Sequence, residues 1–153
     1  MQTIANDLAL FKLKSPVRPA DNVAIISLNR NETLEAGTNL TLFGFGLTNG
    51  MRPRPAQNLQ KASLRSLDED QCREFVEEMG LRKSPGMICT QTDGKSACNG
   101  DSGGPLVLGS GGSDVRQVGI VSFGVMFCPK GAINVYTNVA HYTDWISENM
   151  GQS

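Results

Sequence analysis

The hexapeptide Gly100-Asp101-Ser102-Gly103-Gly104-Pro105 sets a hydroxyl nucleophile between glycines. A serine attacks a carbonyl efficiently when its Oγ stands exposed on a tight turn, with backbone N–H groups aimed where negative charge develops. Glycines permit that turn and let a substrate carbonyl approach the backbone closely. The same six residues also suit an ordinary glycine-rich turn, so the hexapeptide alone leaves both readings open. A serine nucleophile further needs a base, and the chain contains one histidine, His141. Four cysteines, Cys72, Cys89, Cys98 and Cys128, allow three disulfide pairings. They are poorly spaced as metal ligands: no Cys-x-x-Cys pair occurs and His141 has no second His beside it, so neither metal nor cofactor is expected.

The scaffold that must carry this chemistry is bounded by composition. The 153 residues fit about one domain. Glycine supplies 17 of them, 11% against an average of roughly 7%, so turns should be frequent. Basic and acidic residues number 14 and 15, which leaves no basic excess to draw the chain to nucleic acid or anionic lipid. No apolar run approaches the ~18 residues of a membrane span; the stretch 119–128 is short and broken by Ser122. Two sequons, Asn31-Glu32-Thr33 and Asn39-Leu40-Thr41, are compatible with secretion. Yet residues 1–17 lack a basic start followed by an apolar stretch, since Asn6-Asp7 and Lys12 interrupt it, so no export signal is expected within them.

Short apolar runs at 23–28, 40–45, 105–108, 115–123 and 132–136 read as strands, separated by turn-rich clusters at 48–55 and 109–114. Ser66-Leu67-Asp68-Glu69 reads as a capping box that opens a helix. The stripe Cys72, Phe75, Val76, Met79 follows at helical spacing, and Gly80 stands where a helix ends. A second helix over 139–150 turns Val139, Tyr142, Ile146 and Met150 inward and His141, Asp144 and Glu148 outward. Several short strands with a terminal helix predict an antiparallel barrel.

With these segments in place, the chain resembles the chymotrypsin/trypsin family of serine endopeptidases. Six segments in chain order carry the likeness. Asn6-Asp7-Leu8-Ala9-Leu10-Phe11-Lys12-Leu13 is similar to the segment bearing the triad Asp. Gly44-Phe45-Gly46 resembles the Gly-Trp-Gly turn that opens the second barrel. Met87-Ile88-Cys89 precedes the nucleophile loop, and the hexapeptide is that loop. Val121-Ser122-Phe123-Gly124 resembles the strand that pairs with substrate, with Phe for the usual Trp. Val135-Tyr136-Thr137-Asn138-Val139 with Trp145-Ile146 resembles the last strand and helix. The resemblance implies an all-β fold: an antiparallel Greek-key β-barrel, the second barrel of a chymotrypsin-like fold, with a short intermediate helix and a C-terminal helix. Residues 1–22 would be the end of a first barrel and the inter-barrel linker, 23–138 the second barrel with the nucleophile loop, and 139–153 the C-terminal helix.

The resemblance also assigns roles. Ser102 would be the nucleophile and Asp7 the carboxylate that orients the base. The N–H groups of Gly100 and Ser102 would form the oxyanion hole, and Asp101 would ion-pair with a new N-terminus after zymogen cleavage. The disulfides would be Cys72–Cys89, closing a loop of about 17 residues for roughly 3 kcal/mol of stability, and Cys98–Cys128, bracing the pocket wall. Leu40 and Leu108 stand where the family has a further disulfide, so packing would replace it. Ser122, Phe123 and Gly124 would bind substrate, Ser96 would lie at the base of the primary specificity pocket, and Asn134 would narrow that pocket or make it polar. Without an Asp at position 96 the preference should be chymotrypsin- or elastase-like, not trypsin-like.

The family's catalytic His precedes its Asp in the chain, and none of the six residues before Asp7 is His. His141 falls on the polar side of the last helix and reads as a surface residue. The expectation is therefore the C-terminal part of a secreted serine endopeptidase, hydrolysing peptide bonds through an acyl-enzyme and inactive as this chain alone. The alternative is a non-catalytic homologue acting as a binding or regulatory module. Expected partners are a polypeptide substrate, protein inhibitors or a first-barrel chain. Neither nucleic acid nor membrane is expected, and the location would be extracellular.

Overall fold

Alternation of apolar and polar side chains along short strands is satisfied when a sheet curls round its apolar face, and here it closes completely. The computed structural model describes residues 2–30, 33–50, 54–109 and 114–151. Among these, seven strands form: β1 (Ser27–Leu28), β2 (Asn39–Gly44), β3 (Gln60–Ser66), β4 (Met87–Gln91), β5 (Pro105–Leu108), β6 (Arg116–Gly124) and β7 (Asn134–Asn138). They lie in the order β6-β5-β2-β3-β4-β7, and β6 pairs with β7 to close a six-stranded barrel. All six pairings of this ring are antiparallel. β2, β3 and β4 follow one another while β5 returns beside β2, which is a Greek key. Closure leaves the ring no unpaired edge. β1 lies outside it, parallel to β6.

Leu40, Leu42, Leu64, Leu106, Val118 and Tyr136 fill the barrel. Thr41 pairs with Val107 and Leu42 with Leu106, a register that sets Leu40 opposite Leu108, and both leucines pack on this core. The packing expected in place of a third disulfide is thus present. The two disulfides are Cys72–Cys89 and Cys98–Cys128, as the resemblance implied.

Several local expectations are corrected. The apolar run 23–28 forms strand only at Ser27–Leu28; Ile25 is 81% exposed, and a strand needs a partner's ladder. β3 and β4 were not read as strands, because β3 exposes Lys61, Ser63 and Arg65 between its inward residues. The intermediate helix α1 (Glu69–Glu78) is capped by Asp68, not Ser66. Gln71 N donates to Asp68 Oδ1 at 2.7 Å, and Asp68 N donates back to Gln71 Oε1 at 3.3 Å. Ser66 ends β3 instead, its Oγ donating to Glu35 O and accepting from Thr38 N. Gly80 does end the helix, with φ +76° and the paired bonds Gly80 N to Glu77 O and Leu81 N to Val76 O. The second helical stretch is a 3-10 turn (Val139–Tyr142) followed by α2 (Thr143–Met150). Val139, Tyr142 and Ile146 are buried there, but Met150 is exposed. Asn31 of the first sequon lies outside the described residues, whereas Asn39 is exposed at the start of β2.

Residues 2–8 run as a strap across one side of the barrel. Gln2 bridges to Leu81, and Arg82 N donates to Gln2 O at 2.9 Å. Leu8 packs on Val139, Tyr142 and Ile146. Beyond residue 8 the strap is exposed, with Phe11 at 87%.

Candidate active site

The Ser102 turn is set by its backbone bonds and by one buried carboxylate. Asp101 N donates to Cys98 O, Gly103 N to Val121 O and Gly104 N to Asp101 O, at 2.9, 2.9 and 2.8 Å. None of these uses the N–H of Gly100 or Ser102, the pair expected to face an oxyanion. Gly100 has φ +96°, and a side chain there would press on the Gly46 backbone at 3.2 Å. Both facts require glycine. Asp101 turns inward and is only 9% exposed. Its Oδ1 accepts from Gly46 N at 2.8 Å and its Oδ2 from Cys98 N at 2.9 Å. A Cβ on Gly44 or Gly46 would fall on that carboxylate, so Gly44-Phe45-Gly46 is shaped as its receptor. Both partners are backbone donors; neither is a cation.

Asp7 reaches the site from the strap. Ser122 Oγ donates to Asp7 Oδ2 at 2.6 Å, and Thr137 Oγ1 donates to the Asp7 carbonyl at 2.7 Å. Just before it, Asn6 adopts φ +59°, a conformation Asn tolerates better than most residues. The Tyr142 hydroxyl clamps Asn6, accepting from its N–H at 3.1 Å and donating to its Oδ1 at 3.0 Å. Ser122 can reach Asp7 because the β6–β7 register shifts between Val121 and Phe123, a bulge that re-aims the intervening side chain. The clamping residues Asn6, Thr137 and Tyr142 went unrecognised as site residues in the sequence. Nothing in their spacing shows that they converge on Asp7, 130 or more positions away from two of them.

Asp7, Ser122 and Ser102 line one cavity of about 680 Å³, together with Leu8, Phe11 and Ile120. Ser102 also lines a second cavity of about 260 Å³ with Ala97, Ser122, Phe123, Gly124 and Asn134. Asn134 is buried, its Oδ1 accepting from Ala97 N at 2.9 Å and its Nδ2 donating to Ala97 O at 3.4 Å. The amide is thereby fixed in that cavity's lining, and a Cβ on Gly124 would strike it. Ser96 is absent from the cavity's lining; it lies on the other side, in a small recess with Lys61, Ala62 and Asp101. Beneath the site Tyr136 is fully buried. Burial pushes its phenol up to about 12; the Thr90 hydrogen bond opposes that rise and the Asp101 charge adds to it.

His141 is exposed, makes an edge contact with the Tyr142 ring at 4.8 Å, and lines neither cavity. No group of three His, Cys, Asp or Glu side chains that could hold a metal ion occurs among the described residues. The arrangement therefore offers a hydroxyl on a glycine turn, two N–H groups the turn does not use, a fixed carboxylate, and an uncharged pocket.

The Trypsin family profile matches residues 1–146. Chymotrypsin-2 of Vespa crabro is 35% identical over 147 residues, 95% of this chain and 62% of that protein. Trypsin alpha-4 of Lucilia cuprina is 35% identical over 145 residues, 95% of this chain and 54% of that protein. Among solved structures, neuropsin, a serine protease expressed in the limbic system of mouse brain, superposes with a TM-score of 0.80 at 28% identity, over 91% of this chain and 59% of its own. The chain spans between about half and two thirds of the length of these relatives.

Proposed function

The chain belongs to the trypsin family of chymotrypsin-like serine proteases, and on that premise we propose that it is the C-terminal, nucleophile-bearing part of a secreted serine endopeptidase. The observation that carries the reading is the Asp7 carboxylate, fixed by Ser122 at 2.6 Å in the same cavity as Ser102. An imidazole seated between them would take the Ser102 proton, deliver it to the leaving amine, and be held in its tautomer by Asp7. His141 stands away from both, so the general base is assigned to a residue outside these 153. Residues 1–22 are accordingly read as the link from a first barrel. The tetrahedral oxyanion would be received by the Gly100 and Ser102 N–H groups. Two disulfides fit an oxidising, extracellular setting.

The Asn134 amide, with no carboxylate lining its cavity, supports uncharged side chains as the preferred residue before the scissile bond. A buried cation there would lack an opposite charge.

A fluorophosphonate probe tests the assignment. Protein in which these residues are joined to a first barrel bearing an imidazole should be labelled at Ser102, and Ser102→Ala should abolish the label. The 153 residues alone should stay unlabelled. The labelled protein should cleave peptides with Phe, Leu or Ala before the bond faster than peptides with Arg or Lys; the reverse order overturns the pocket reading. Absence of label in the joined protein would favour a non-catalytic homologue acting as a binding module, the reading for which the outward position of His141 speaks.

A further inference from the structure

Behind the wall of the Ser102 pocket lies a separate cavity of about 520 Å³, and three of its lining residues are Lys61, Lys95 and Lys130. They come from distant parts of the chain: Lys61 from β3, Lys95 from the loop after β4, and Lys130 from the turn following Cys128. The chain has 15 acidic residues, yet none of those among the described residues lines this cavity. The two ion pairs among the described residues, Arg73–Asp70 and Lys83–Glu69, leave all three lysines unpaired within that set. Thr48 and Ser96, each with a hydroxyl, line the same concavity. Asp101 lines the adjoining recess with Lys61, but both of its oxygens already accept backbone N–H bonds from Gly46 and Cys98. Folding thus gathers three like charges on one surface, which raises the local potential and favours an anion.

We propose that this cavity is a binding site for a tetrahedral oxoanion, a sulfate or phosphate group. A carboxylate offers one charge and two oxygens. An oxoanion of two negative charges offers several acceptors at once to three ammonium groups and two hydroxyls, and lysine binds such groups as a compact point charge. The site is distinct from the Ser102 pocket but shares a wall with it: Cys98 and Cys128 line both cavities, and their disulfide is the partition. The inference does not rest on the endopeptidase reading.

The test is titration of the purified protein with inorganic sulfate or phosphate, at ionic strength held constant with chloride, followed by amide shifts. Saturable shifts should be confined to residues near Thr48, Lys61, Lys95 and Lys130. Lys61→Gln, Lys95→Gln and Lys130→Gln should each weaken binding about fivefold, in line with exposed charge pairs, and the triple variant should show no saturation. The double variant Lys12→Gln/Lys14→Gln, on the exposed strap, should bind as the parent does. A sulfated disaccharide run in parallel tells the source of the group: tighter binding than inorganic sulfate assigns an ester, and equal or weaker binding the free ion. Non-saturating shifts, or shifts unchanged in the triple variant, overturn the site.

Discussion

Asp101 and Asp7 both stand beside Ser102, one next to it in the turn and one lining the same cavity, but they are held by different chemistry. Asp101 is buried, and each of its oxygens takes a backbone N–H, from Gly46 and from Cys98. Asp7 is exposed and takes a single side-chain hydroxyl, from Ser122, while its backbone is tied by Thr137. The first is built into the barrel: it joins two turns that are 55 residues apart in sequence, and the two glycines around it leave room for nothing else. The second is brought up by a strap that is exposed from residue 9 onward. The buried carboxylate is a folding element that also shapes the turn. The exposed one is held by two side-chain hydroxyls, one on its carboxylate and one on its carbonyl.

The contrast is broken most directly by removing each side chain. Asp101→Ala strands two N–H donors at a buried site and should lower unfolding free energy by about 4 kcal/mol, whereas Asp7→Ala should cost under about 1 kcal/mol. Urea unfolding of both variants gives the comparison, and equal costs would dissolve it. A second effect, somewhat smaller, tests how far the buried region reaches. Tyr136 lies in the core with its pKa raised from 10.0 to about 12, first by burial and in lesser part by Asp101. A folded-state value above the unfolded one contributes stability that is complete below about pH 10 and is lost as pH climbs through 12. Two pKa units correspond to roughly 3 kcal/mol. Melting temperature measured over that window should fall steeply for the parent and less steeply for Tyr136→Phe; parallel curves would remove Tyr136 as the cause.

The same division decides what could be read from the sequence. Features fixed by local chain chemistry were legible: the glycine-rich turn at Ser102, the helix stop at Gly80, and strand β5 at Pro105–Leu108. The motif order supplied the barrel and both disulfide pairs. What failed depended on partners distant in sequence. The run 23–28 is apolar enough for a strand, yet only Ser27 and Leu28 find a ladder on β6. β3 lacks a strand signal of its own because its outward face is basic and polar, and only its neighbours β2 and β4 make it a strand. Ser66 looked like a cap because the stretch Ser-x-x-Glu fits, but the ladder to Thr90 claims it and moves the cap to Asp68. Asp7 was identified by its segment, whereas its clamps, Thr137 and Tyr142, are brought to the strap only by folding.

Ser122→Ala gives the smallest effect and the sharpest separation of the two carboxylates. The hydroxyl is one exposed hydrogen bond, so its loss should lower stability by about 1 kcal/mol or less. Asp7 would keep its Thr137 tie and the Leu8 packing, so the strap should remain in place while the carboxylate turns free. If Asp7 serves as the orienting carboxylate, that freedom should slow fluorophosphonate labelling of Ser102 in the joined protein, by up to about a hundredfold as for other misplaced catalytic groups. Thr137→Val, which releases the backbone instead, should weaken the strap and slow labelling together. A Ser122→Ala protein that melts far below the parent would show that Asp7, like Asp101, belongs to the fold. One that melts with the parent and labels as fast would show that its carboxylate needs no orienting hydroxyl.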